Sequence, residues 1–206
     1  MSQWVNMQRA AKFDETGQYR YWLRREWAVS GPAIALIMLN PSRADHRQDD
    51  PTLRRCTCLA QQWQFGRLTV VNLFAYCTAS PQVLKTVAHP IGADNTASPQ
   101  VLKTVAHPIG ADNDEHIVQA CAAADRILLA WGNWGSLHQR DQAVLNLLTP
   151  FCDRLCCLGL NRTGQPRHPL YVPRQSLLQP WPPSSTDITT DDSLSKSPMV
   201  RRSMAG

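Results

Sequence analysis

Residues 33–40 read AIALIMLN, apolar at every position until the closing asparagine. A strand with one face in water alternates apolar and polar residues, so an unbroken apolar run fits a central strand covered on both faces. Such a strand needs helices above and below its sheet, and the rest of the chain supplies them. Apolar, β-branched runs recur at 67–76 (RLTVVNLFAY), 126–132 (RILLAWG) and 154–160 (RLCCLGL). Between them lie helical stretches. Asp50 and Pro51 supply an N-cap and an N1 proline for the helix TLRRCTCLAQQW. DNDEHIVQACAAA begins with Asp112 or Asn113 as its cap, and HQRDQAVLNLLTPF is helical too. The segment YRYWLRREW (19–27) suits an edge strand or hairpin arm. Strands alternating with helices predict an α/β protein, a three-layer α/β/α sandwich with a mainly parallel central sheet.

The segment TASPQVLKTVAHPIGADN occupies residues 78–95 and recurs without change at 96–113. Two identical adjacent copies are not a solenoid, which needs at least three stacked units with differing ends. They are the mark of a tandem duplication, and one copy is surplus to the fold. An insertion of this kind belongs in a surface connection, where doubling a loop costs about 0.6 kcal/mol. Within a copy, Ser-Pro followed by Val-Leu opens a short helix and HPIGADN reads as a turn.

With the repeat set aside, residues 1–18 read as an N-terminal extension and 19–179 as a single α/β domain. From residue 180 the chain turns to Pro, Ser, Thr and Asp, the composition of a disordered tail. The opening residues lack a secretory signal, and no apolar run reaches the roughly 20 residues of a membrane helix, which places the chain in the cytoplasm. Seven cysteines, none in Cys-x-x-Cys spacing, sit mostly in apolar stretches, where a thiol acts as a small hydrophobe. No metal site is expected, and zinc held by Cys56, Cys58 and a histidine is a poor fit. The net charge is +5, and the charged residues of the tail cancel. The excess therefore lies on the folded part and suits an anionic partner, nucleic acid or a nucleotide.

In a sheet of this kind ligands bind outside the carboxyl ends of the strands. There the sequence places Asn40-Pro41-Ser42, then Asn72, then Trp131-Gly132-Asn133, then NRTGQPRHPLY (161–171) with His168. A carboxamide offers a donor and an acceptor without charge, which suits reading a neutral heterocycle or orienting a water. Each residue also has a plainer reading. Asn40 before proline makes an Asx-turn, Asn72 satisfies a neighbouring loop, and His168 is an ordinary loop histidine.

Two resemblances rest on these residues. In the order RYWLRREW, IMLNPSRAD, DDPTLRRC, VVNLFAY, PIGADND, LLAWG and GQPRHPLY, residues 19–173 resemble the bacterial family catalogued as domain of unknown function 1643. The second copy of the repeat departs from its pattern, and the family name implies no activity. More distantly, MLNPS is similar to the first motif of the uracil-DNA glycosylase superfamily. VVNLFAY looks like that superfamily's strand whose asparagine reads the flipped base. HPLY resembles its His-Pro-Ser motif, with leucine for serine. This second resemblance implies a uracil-DNA-glycosylase-like fold and a hydrolase, a nucleobase N-glycosidase acting on nucleic acid or nucleotides without a cofactor. Asn40 would hold the attacking water and His168 would stabilise charge on the departing base. Asn72, with Pro41, Ser42 and Gly132, would bind the base. Arg55 and Arg167, with Arg43, Arg47 and Arg54, would hold phosphates or merely form a solvated basic face. The alternative is a binding module, the same cleft taking a nucleotide or nucleic acid without cleaving it.

Overall fold

The computed structural model describes residues 4–42, 48–80, 82–87, 109–110 and 112–183. The chain opens with a hairpin of β1 (Trp4–Phe13) and β2 (Arg20–Ala28). The Asp14 carboxylate fixes its turn by accepting the Tyr19 N–H at 2.9 Å. β3 (Ala33–Met38) is buried throughout, and α1 (Pro51–Gln62) leads to β4 (Arg67–Asn72). Then come α2 (Gln82–Val87), α3 (Asn113–Ala122), β5 (Arg126–Leu129), α4 (Arg140–Leu147), β6 (Leu155–Cys157) and β7 (Gln179–Pro180). The strands form one seven-stranded sheet in the order β1-β2-β4-β3-β5-β6-β7.

That sheet is mixed, which corrects the expectation of a mainly parallel one. β4, β3, β5 and β6 run parallel. The pairings of β1 with β2, β2 with β4 and β6 with β7 are antiparallel. The antiparallel additions close both edges, and edges carry weak sequence signals. No described side chain of β1 is buried, so its residues lack the apolar run that marks β3. Residues 4–13 are accordingly a strand of the sheet and not an extension outside it. At the far edge Pro180 pairs with Cys156, and the Trp181 N–H donates to the Leu155 carbonyl at 3.1 Å. The chain therefore stays attached to the sheet past residue 180, and the rest of the expected tail, 184–206, lies outside the described residues.

Alternation along β3 divides the core. Ile34, Leu36 and Met38 pack with Leu53, Cys56 and Leu59 of α1, whereas Ala35 and Ile37 pack with Leu84, Ile117 and Val144 of α2, α3 and α4. Helices thus lie on both faces. At α1 the expected cap is present: Asp50 accepts the Leu53 N–H at 2.7 Å and Pro51 opens the helix. Cys56 faces the core and Cys58 faces solvent, so the two thiols do not converge. Burial pushes the thiols of Cys56, Cys121 and Cys156 up to about 12, keeping them protonated. Among the described residues, no helix is long and apolar enough to cross a membrane.

Two charged networks hold the elements that carry the strand ends. Arg25, fully buried, donates to Asp49 Oδ1 from Nε at 2.9 Å and Nη2 at 2.7 Å, and Arg9 of β1 reaches the same oxygen at 3.2 Å. This ties the hairpin to the entry of α1. On the other face Asn113 does not cap α3 with its side chain. Its Nδ2 donates to the carbonyls of Asn72 and Leu73 at 2.9 and 3.1 Å, and Arg140 Nε donates to Leu73 at 2.8 Å. Asn113→Ala leaves the Asn72 carbonyl without this donor in a buried setting. It should lower stability by about 1–3 kcal/mol, read as a fall in the urea midpoint at unchanged slope. An unchanged midpoint would show that these bonds contribute nothing net.

Candidate functional site

β3 lies between β4 and β5, with the connection from β3 to β4 carrying α1 on one face and that from β5 to β6 carrying α4 on the other. The chain therefore leaves β3 and β5 in opposite directions, which opens a crevice at their carboxyl ends. A cleft of about 670 Å³ occupies that position. Its apolar floor includes Leu23, Met38, Leu53 and Val70, and its polar lining includes Asn40, Asn72 and His168. The three residues come from the ends of β3 and β4 and the loop after β6, and one cleft receives them all. Ser42 and Gly132 line it too.

Each of the three presents a defined atom. Asn40 Nδ2 donates to the carbonyls of Pro41 at 3.0 Å and Thr78 at 2.8 Å. Both amide hydrogens are used, which leaves Oδ1 as an acceptor. The bond to Pro41 is local but is not the Asx-turn of the plainer reading, in which the side-chain oxygen would accept, and the bond to Thr78 spans the wall of the cleft. Asn72, only 1% exposed, accepts a long bond of 3.4 Å at Oδ1 from Arg20 Nη2. A guanidinium only donates, so Asn72 turns its oxygen to Arg20 and keeps its NH₂ for another partner. His168 Nδ1 accepts the Leu170 N–H at 3.3 Å, which places the neutral ring's proton on Nε2. Burial holds the His168 pKa below its ordinary 6.5, and the Asp50 carboxylate opposes this in part. These three side chains thus present one acceptor and two neutral donors.

The loop bearing His168 is rich in proline and short of N–H groups, so side chains hold it. Trp131 Nε1 donates to Gln165 Oε1 at 2.5 Å, and Gln165 Nε2 donates to Asp141 Oδ2 at 2.7 Å. Gly132 has φ +73°, and its N–H donates to the Pro166 carbonyl at 3.0 Å. A side chain there would be strained by the backbone alone. Arg55 donates to the carbonyls of Pro169, Val172 and Pro173, and Arg167 Nε donates to Leu160. These two arginines hold the loop and stand outside the cleft lining. Arg54 Nη1 donates to the Asp49 carbonyl, and Arg43 and Arg47 lie outside the described residues. Pro41 is buried behind the lining and contributes its carbonyl.

Sequence reasoning did not anticipate several members of the cleft. Arg20 was hidden in an aromatic edge strand, and Asp50 was read only as a helix cap. Asp50 does cap α1, yet its Oδ2 accepts from Ser42 Oγ and it also lines the cleft. Its place in the connection from β3 to α1, on the side of the sheet where the strands end, was the available signal. Thr78 and Ala79 belong to the repeated segment, which had been set aside as surface. Trp134 and Tyr171 add aromatic walls. Tyr171 is 81% exposed, and its ring lies 5.6 Å from that of His168. Lys85 of α2 sits over the Trp134 ring at 4.6 Å.

No curated protein and no solved structure matches the chain. The family described as "Protein of unknown function (DUF1643)" matches residues 20–98 and again 96–170. Each match takes in one whole copy of the repeated segment, and together they run through most of the cleft-forming chain. The chain belongs to the DUF1643 family of proteins of unknown function.

Proposed function

We propose that the cleft binds a nucleobase carried by a nucleotide or nucleic acid, and that the protein hydrolyses its N-glycosidic bond. One observation carries this reading: three uncharged polar side chains from separate segments meet in one cleft with fixed donor and acceptor atoms. The apolar floor and the rings of Trp134 and Tyr171 suit the faces of a planar heterocycle, and the polar atoms suit its edge. Two donors favour a base bearing carbonyl oxygens. The helices on both faces and the cleft at the strand ends also support the three-layer, uracil-DNA-glycosylase-like arrangement implied by the motifs, and the excess positive charge suits a polyanionic carrier.

In this mechanism Asn40 Oδ1 accepts from a water and aims it at the anomeric carbon. The C–N bond breaks, its electron pair leaves with the base, and His168 Nε2–H donates to the oxygen on which that charge collects. The water adds to the carbon as hydroxyl, and its proton is finally taken up by the base or by solvent. Asn40 is not a base, so the acceleration rests on positioning and on stabilising the leaving anion. His168→Ala should lower the rate of base release from a uracil- or hypoxanthine-containing oligonucleotide by about 10²–10³-fold. Asn40→Ala should also lower it strongly, with strand binding kept in both. A pure wild-type protein that releases no base across a panel of damaged bases would end the catalytic reading.

One observation favours binding without cleavage. Asp50, the one carboxylate lining the cleft among the described residues, has one oxygen on the Leu53 N–H and the other on Ser42 Oγ. A free base or nucleotide found between Asn40, Asn72 and His168 without turnover would decide for that module.

Dependence on pH follows from the His168 tautomer. Protonation places a hydrogen on Nδ1 and breaks its bond from the Leu170 N–H. The folded-state pKa lies below the ordinary 6.5, so activity should hold at pH 6.5 and fall only at lower pH. Between the two values the unfolded chain binds the extra proton, so stability declines as pH drops through that window. His168→Gln should remove this acid-side decline in denaturant midpoint, and a decline of equal size in the variant would assign it to another group.

A further inference from the structure

β2 carries a break in its alternation, and that break decides which charged side chain reaches the cleft. Along a regular strand successive side chains point to opposite faces. Leu23 belongs to the α1 side of the core and also lines the cleft. Trp22 falls on the other side, where it packs with the core cluster that holds Ile117 and Cys121 of α3. Tyr21 should return to the α1 side, yet its ring lies 4.7 Å from that of His116 on α3. The register against β1 shows why. Lys12 pairs with Trp22 and Phe13 with Arg20, so the ladder passes over Tyr21 as an extra residue. A bulge of this kind re-aims the neighbouring side chain. Arg20 therefore turns to the α1 side and lines the cleft beside Asn72.

Arg20 is held there at both ends. Its backbone N–H donates to the Ala75 carbonyl at 2.9 Å, and its Nη2 donates to Asn72 Oδ1 at 3.4 Å. Arg20 and Asn72 are 4% and 1% exposed, so bulk water hardly competes for that bond. The backbone at Asn72 is fixed separately, its carbonyl accepting from Asn113 Nδ2 at 2.9 Å. What Arg20 decides is the orientation of the carboxamide alone. A carboxamide that turns over exchanges its donor for its acceptor. A guanidinium only donates, so the Asn72 oxygen faces Arg20 and the NH₂ is kept for a ligand. A neighbour that both donated and accepted would let Asn72 present either pole.

We propose that Arg20 is the specificity-determining residue of the cleft, a positioning residue that acts through Asn72. This rests on the nucleobase reading and names the class: bases with a carbonyl oxygen where a related base has an amino group. Uracil and cytosine form one such pair, and hypoxanthine and adenine another. The carbonyl member accepts from Asn72 Nδ2. The amino member sets a donor against a donor, which leaves both without a partner inside the cleft. The guanidinium acts in the same direction, since its positive charge attracts a carbonyl oxygen and repels amino hydrogens.

Calorimetric binding of these four free bases to the full chain tests the assignment. Wild type should prefer uracil to cytosine, and hypoxanthine to adenine, by at least about tenfold. Arg20→Lys, which still only donates, should keep that ratio to within about threefold. Arg20→Gln both donates and accepts, and Arg20→Met does neither, so in each the ratio should fall to about one. A side chain that merely supported the fold would weaken all four bases alike. An unchanged ratio in Arg20→Gln, or a ratio lost equally in Arg20→Lys, therefore overturns the proposal. A wild type that binds the bases without preference overturns it too, whether or not any variant folds. These results leave the nucleobase reading standing. A wild type that binds none of the four brings down that reading, and this inference with it.

Discussion

The position of β3 governs the rest of the molecule. Six consecutive buried residues, hydrogen-bonded on one side to β4 and on the other to β5, leave the strand no contact with water. Both neighbours run parallel to it, so the carboxyl ends of three strands are level. Chain that leaves those ends must diverge to reach opposite faces, and the divergence is the cleft. Moving β3 to an edge would expose its apolar residues and scatter Asn40, Asn72 and Trp131 at once.

A cleft made this way is open to water, and its chemistry depends on which atoms are already taken. Backbone carbonyls claim the amide hydrogens of Asn40, Arg20 claims the oxygen of Asn72, and the Leu170 N–H claims Nδ1 of His168. Each commitment is structural and leaves the opposite pole for a ligand. A carboxamide free to rotate would accept and donate alike, and these side chains are biased toward one role. Support comes from behind. Asn113 and Arg140 hold the end of β4, while Trp131, Gln165 and Arg55 hold the loop of His168.

How much of this could be read beforehand follows from where each signal lies. The run at β3, the capped start of α1 and the buried parallel strands were legible because full burial writes itself as unbroken apolar sequence. β1 and β7 were not, since edge strands bury little. Asn40, Asn72 and His168 could be placed at one sheet edge by topology alone, though not their polarity, which depends on distant carbonyls and on Arg20. Arg55 and Arg167 stand for a different gap. An arginine near a motif can serve a phosphate or a proline-rich loop's carbonyls equally well, and only the fold assigns these two to the loop. Thr78 and Leu84 were hidden for a further reason. Identity between copies shows that one is surplus and cannot show that the fold takes parts of each.

The central claim is that three side chains from separate segments form one binding surface of set polarity. It is tested most directly by following the side-chain amide signals of Asn40 and Asn72 and the imidazole nitrogens of His168 by NMR while free uracil or hypoxanthine is added. The account predicts a His168 ring protonated on Nε2 before addition, and all three residues shifting together along a single binding curve. A ring protonated on Nδ1, or shifts that follow separate curves or fall on other residues, would contradict it.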